Sequence, residues 1–416
     1  MSIYKKRALA DSTGDYLATS LGEVLMVLDK TSFDLQLLNR VLQSQSYKTH
    51  FRLFVLNPDE TIDYEIPQED IILGSGNYSE NYQQGQRRNI NISLVNIDGN
   101  YTPSINTIWV HNKFRFDVGI EYNNEIFWFP RGIYVLSNPS VTHNDADKQV
   151  SLTLVDKFAL LEGKTGTLET TYEIPVGIDI KKAIQSILTL DTGSGYPLDL
   201  KPIIYDSSFE GKTMPYTLRK DAGGTFGEII LDLAIMLNAE CFYNDLGNLC
   251  FININETISD FNKPVLWNYD ENEEELFNLS GNFNFDNVVN QVNIIGDNIN
   301  GELFSAFAIN DNPISPICIA NIGRRILSIN DSNIYSDELA QDRANYELRK
   351  ASILETTVSA NVAFNPLLFV NNLITTNDSY LNLERQKFII QSISYTIGND
   401  NMMNLTCSNL NNFTLV

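Results

Sequence analysis

Few side chains in this sequence are spaced for chemistry. There are three histidines, His50, His111 and His143. His143 stands close to Asp145 and Asp147, which together could ligate a metal. They fall, however, in the polar turn of an expected hairpin, where short polar residues are at home, and their spacing matches no zinc type. No HExxH pair or GxSxG elbow occurs. Gly163-Lys164-Thr165 and Gly211-Lys212-Thr213 each end like a phosphate-binding loop. That loop needs an earlier glycine so that backbone amides can wrap the phosphates, and Phe158 and Asp206 stand there instead. The acids Asp270, Glu271, Glu273, Glu274 and Glu275 read as a solvated loop. A glycosidase pair must sit about 5–10 Å apart, a distance no sequence gives. Arg87-Arg88 and Arg324-Arg325 are too few for a basic stripe. Cys241 and Cys250 flank the turn-like Asn244–Asn248 and are either a cross-strand disulfide or two small apolar residues in adjacent strands. With Cys318 and Cys407 they form no metal-type spacing. The expectation is a non-enzyme with no catalytic, cofactor-binding or metal-binding residue.

The elements that would position these residues are mostly strands. From His50 the apolar period is two: residues 52–56, 71–73, 89–95, 114–118, 126–129, 133–136 and 150–154 are short, β-branched or aromatic runs bounded by turn residues. Such spacing predicts a sandwich or barrel over residues 46–165. Residues 1–45 are expected to form a partly helical arm, with Ser32 capping a helix that carries Leu35, Leu38, Val41 and Leu42. Residues 166–285 read as a mixed α/β insertion, with helices over 178–190 and 225–237 and strands at 240–243 and 248–254. Residues 286–416 return to strands (288–295, 387–397 and 402–407) around one helix from Ser336 to Ala351. The hairpin Gly132–Val141 with Val150–Leu154 is similar to Lys387–Tyr395 with Met403–Cys407, which suggests a duplication.

Composition bounds the rest. The chain has 416 residues, so about three domains are expected. Its 29 basic and 52 acidic side chains leave a net charge of −23. A sequence-independent grip on nucleic acid, or docking on an anionic membrane, needs the opposite balance. Apolar residues at 43% are enough for a sizeable core. No run is long enough for a membrane span, and the polar start carries no secretory signal.

From Arg87 the sequence resembles a known family. Arg87–Ile92, Asn96–Pro103, Trp109, Lys113–Gly119, Pro130–Tyr134 and Leu154–Phe158 are similar to the opening barrel of tailed-bacteriophage baseplate hub proteins. Phe388–Tyr395 with Leu405-Thr406 resembles the close of that family's last barrel. The resemblance implies a mainly β fold with α/β insertions: two tail-tube-like β-barrel domains plus inserted mixed parts. It further implies a homotrimer joining the hexameric tail tube or distal tail protein to the central spike or tip, near the tape measure protein. DNA would pass through the channel without specific binding. The place would be the virion tail, after assembly in the host bacterial cytoplasm.

Two other functions stay open on the sequence: a tail-associated peptidoglycan hydrolase, and the hub of a phage-like contractile injection particle. The acidity suits either a channel that repels phosphate or plain solubility. Strand edges and the N-terminal arm are the expected assembly elements, and removing residues 1–45 is expected to leave the barrels folded.

Overall fold

The structure, a computed structural model, describes residues 47–409 except 106, 145–147, 192, 194, 254–264, 272–274, 284–287, 300–301, 354–355 and 399. It also describes residues 2–3, 6–8, 26–28, 33–34 and 41–42. The expected mainly β class with inserted α/β parts is what the chain adopts.

The first half contributes β1 (Lys48–Leu56), β2 (Ile62–Ile66), β3 (Gly76–Asn81), β4 (Arg88–Val95), β5 (Lys113–Tyr122), β6 (Glu125–Leu136), β7 (Ser140–His143) and β8 (Lys148–Asp156). Alternation makes them strands: in β8, Val150, Leu152 and Leu154 point into the core while Ser151 and Thr153 do not. The two runs expected at 126–129 and 133–136 are one strand, β6, with a bulge between Pro130 and Gly132. Proline brings no N–H to the ladder there, and Gly132 takes φ 133°, which suits glycine. The expected strand at 71–73 is only an isolated bridge from Ile71 to Leu94.

An insertion follows, carrying β9 (Tyr172–Ile174), β10 (Ile204–Tyr205), β11 (Leu218–Lys220), β12 (Ala239–Tyr243) and β13 (Leu249–Asn253), and after it come β14 (Trp267–Asp270) and β15 (Leu276–Phe283). A two-layer unit follows, with β16 (Gln291–Ile299), β17 (Glu302–Ile309) and β18 (Ile326–Asp331) in one sheet. The second half ends in β19 (Thr356–Ala363), β20 (Leu373–Asp378), β21 (Leu383–Ile397) and β22 (Met402–Asn409).

Strands of both halves join in one 14-stranded sheet. Its first part runs β3-β4-β8-β6-β5-β1 and its last part β15-β19-β22-β21-β20-β14. Taken in chain order, the two parts repeat one arrangement: second, third, sixth, fifth, fourth, first. The hairpin likeness in the sequence is thus embedded in a repeated topology. One difference is that β14 lies parallel to β20, while β1 lies antiparallel to β5.

The halves meet along strand edges. The front of β21 pairs with β20, and its end, Ser392–Ile397, pairs with β3 from Asn81 back to Gly76. Both halves also share one core, in which Tyr78 of β3 stacks on Tyr395 of β21 at 4.7 Å and Phe364 meets Tyr395 edge-on at 4.9 Å. Of the expected N-terminal helix, only Val41 and Leu42 lie among the described residues. Both are buried in this core, so a cut after residue 45 would remove core side chains.

The insertion has its own core around α1 (Ile180–Leu188) and α2 (Phe226–Leu237). Asp179 and Thr225 cap them by accepting from the N–H of Lys182 and Glu228. β9 pairs with β11 (Leu218–Lys220), and β10 (Ile204–Tyr205), β13 (Leu249–Asn253) and β12 (Ala239–Tyr243) form a three-stranded sheet. In the two-layer unit α3 (Asp337–Ile353) packs Leu339, Ala344 and Leu348 against Val292 and Ile294, and Ser336 accepts from the N–H of Leu339.

Candidate functional site

The densest chemistry lies where the first half, the insertion and the second half meet. β8 ends in Asp156, directly followed by Lys157 and Phe158. The Asp156 carboxylate accepts from the backbone N–H of Arg87 at 2.6 Å, Arg88 at 3.0 Å and Phe158 at 3.0 Å. One side chain therefore fixes the entry to β4 and caps the short turn of helix at Lys157–Leu160. Burial pushes its carboxyl up to about 6, against the pull of those N–H groups and Arg88.

The two arginines turn to different partners. Arg88 donates from Nε to Glu80 of β3 at 2.8 Å, and Glu80 also accepts from the Tyr78 hydroxyl at 3.1 Å. Arg87 reaches into the insertion, 3.4 Å from Glu240 of β12, with its guanidinium 3.8 Å over the ring of Phe242. Its neighbour Gly85 donates its N–H to the Cys241 carbonyl at 2.9 Å, and Gln84 accepts from the Cys241 N–H. Glu80, Arg87, Arg88, Glu240 and Phe242 line a cleft of about 570 Å³ together with Asp245 and with Phe369 to Leu373 of the second half.

A second cluster starts at Lys157, which is fully buried. Its ammonium lies 2.7 Å from Glu60 and 2.6 Å from Asp199 of the insertion, and donates to the Gly247 carbonyl at 3.1 Å. Glu60 also holds Lys113 at 2.9 Å, with Lys201 at 3.7 Å. Burial alone would raise the Glu60 carboxyl, but Lys157 and Lys113 outweigh it and keep it below its ordinary value. Burial lowers the Lys201 ammonium despite Glu60.

Chemically this arrangement binds elements to one another. Of the carboxylates lining the cleft, Glu80 and Glu240 are engaged by guanidinium groups, and Asp245 lines it as well. Asp156 has its oxygens occupied by backbone donors and is 2% exposed, which leaves no approach for a substrate. Buried ion pairs of this kind gain little net stability but penalise any arrangement that separates them.

The residues singled out in the sequence fall as follows. Arg87 and Arg88 are buried in the junction rather than presented on a surface. Arg325 is tied to the Asn290 side chain and the Val288 carbonyl. His143 is exposed on β7, and Asp145 and Asp147 lie outside the described residues. No group of three metal-ligating side chains occurs among the described residues. Both Gly-Lys-Thr runs lie in turn regions, with Gly163 and Gly211 at positive φ. Cys241 and Cys250 are free and buried in adjacent strands, the second of the two readings. The acidic run is not wholly a solvated loop. Asp270 ends β14, and Glu275 is 2% exposed because it accepts the Trp267 indole N–H at 2.6 Å. The Glu60–Lys157–Asp199 cluster was missed; its signal was Asp156-Lys157 standing between apolar Val155 and Phe158.

No described helix is long and apolar enough to cross a membrane. The fold is that of phage tail proteins, which bears out the resemblance at the level of architecture. The prophage MuSo2 43 kDa tail protein from Shewanella oneidensis superposes with a TM-score of 0.57 at 12% identity, over 86% of this chain and 97% of that one. A tail protein from Neisseria meningitidis gives 0.57 at 9% identity, over 86% and 97%. Prophage tail protein gp18 from Listeria monocytogenes gives 0.53 at 10% identity, over 88% and 96%. A family described as a domain of unknown function (DUF5048) matches residues 314–413, which include α3 and β19 to β22. No curated protein matches the sequence.

Proposed function

We propose that this chain is the structural hub of a bacteriophage tail baseplate. It acts as a homotrimer in the virion tail, joining a hexameric tail tube or distal tail protein to the central spike or tip beside the tape measure protein. It assembles in the host cytoplasm and performs no catalysis. The observation that carries this reading is the fold shared along 97% of the Shewanella tail protein. The repeated topology supports it: two like units per chain let three chains offer six to a hexameric ring. We place the functional division at 1–45, 46–165, 166–285 and 286–416, with β14 and β15 lent to the second unit through their pairing with β20 and β19. Part of the net charge of −23 faces the DNA channel, where it repels phosphate over about 8 Å.

Light scattering on the purified chain tests the reading, with a mass near three times 47.0 kDa expected. A zymogram on host peptidoglycan should show no clearing. A lytic zone would overturn the non-enzymatic role.

A further inference from the structure

The seam between the two halves is a template for a contact between chains. We infer that the uncovered edge of β15 in one chain pairs with β7 of a second copy, repeating the β3–β21 seam that each chain makes internally. The inference rests on the hub reading and gives the trimer its interface.

The repeat assigns the strands. When Val150–Leu154 of β8 is laid on Met403–Cys407 of β22, the ladders bring Arg88–Val95 of β4 onto Thr356–Ala363 of β19. The same overlay brings Gly76–Ser79 of β3 onto Leu279–Asn282 of β15, and Ser140–His143 of β7 onto Ser394–Ile397 of β21. Within the chain Gly76–Ser79 pairs with Ile397 back to Ser394. The counterparts of those two segments have no such partner: among the described residues β15 pairs only with β19, and β7 only with β8. Each therefore presents a row of unpaired N–H and C=O groups, the usual basis of strand addition. The transferred register sets Leu279 opposite His143, Ser280 opposite Thr142, Gly281 opposite Val141 and Asn282 opposite Ser140.

Charge and exposure agree with this occupant. Copies of a chain carrying −23 repel one another, yet neither segment holds a carboxylate or an ammonium. The second edge of β2, which is also unpaired among the described residues, in contrast carries Asp63 and Glu65, which would bring like charges together if two such edges met. Val141 is 47% exposed, whereas Tyr395, its counterpart by the overlay, is buried in the seam. The contact joins two different surfaces, so it propagates head to tail rather than stopping at a dimer, and on the hub reading it closes after three copies.

The test is a cysteine pair, Ser280→Cys with Thr142→Cys in the same full-length chain, oxidised and run on a non-reducing gel. The native cysteines Cys241, Cys250, Cys318 and Cys407 are all buried and do not interfere. Opposed positions in an antiparallel pair are within disulfide reach, so covalent trimers are expected from the double variant and none from either single variant. A light-scattering trimer without cross-links would overturn the seam and leave the hub reading intact. Dimers from Ser280→Cys alone would mean that β15 pairs with its own copy. A monomer without cross-links would overturn both.

Discussion

Replacing Lys157 with methionine tests whether the ionic junction holds the insertion to the sheet. Methionine keeps most of the stem volume and removes only the ammonium, which sits 2.7 Å from Glu60, 2.6 Å from Asp199 and 3.1 Å from the Gly247 carbonyl. Glu60 keeps Lys113 at 2.9 Å, and Asp199 keeps the Lys201 backbone N–H at 2.9 Å. Losing one partner of a fully buried pair costs about 3–5 kcal/mol, and the surviving donors place this case near 3 kcal/mol. Adding Asp199→Asn removes the stranded charge while still accepting the Lys201 N–H. The double variant should therefore be about 1–2 kcal/mol more stable than the sum of the single effects requires. Urea unfolding followed by tryptophan fluorescence reads the sheet, because Trp109, Trp128 and Trp267 all lie outside residues 166–253 and Trp267 stands on β14 of the sheet. Hydrogen exchange over residues 166–253 reads the insertion, which should lose protection first. A Lys157→Met protein within about 1 kcal/mol of wild type, or single effects that simply add, would refute the argument.

Two further outcomes follow from the geometry. The Asp156 carboxyl is raised to about 6 from 3.8, so between those values the folded state holds the proton more tightly than the unfolded one. Its contribution to stability therefore falls by roughly 3 kcal/mol as pH rises through that window, and Asp156→Asn should abolish this component in pH-dependent urea unfolding. Gly119 of β5 leaves room for Ile126 and Trp128 to cross it: an added Cβ would meet them at 2.6 and 2.9 Å. Gly119→Ala should cost about 1–3 kcal/mol in thermal unfolding and move Trp128 off the Arg52 guanidinium, now 4.2 Å from its ring, which a changed emission spectrum would report.

The class of fold was legible because alternation is a local signal. Strands such as β4 and β8 bury every second residue, and a run like Asn89–Val95 carries that pattern without reference to its partners. The helices were equally plain, since Thr225 and Ser336 stand where caps belong and apolar residues follow at helical spacing. Less regular strands escaped. β2 holds Asp63 and Glu65, β19 mixes Thr, Ser and Asn among small apolar residues, and β17 exposes Leu303 and Phe307 on the face away from its core. Their strand character comes from the neighbours they pair with.

Local composition by itself determined a mainly β, acidic chain with α/β insertions, in which two hairpins look alike. It could not set the strand order that makes the halves true counterparts, because pairing joins residues as distant as Tyr78 and Tyr395. Nor could it say that Arg87, Arg88 and Lys157 are buried. A charge in sequence reads as solvent-exposed, and only the tertiary structure brings Glu80, Glu240, Glu60 and Asp199 close enough to offset the cost of taking those cations out of water.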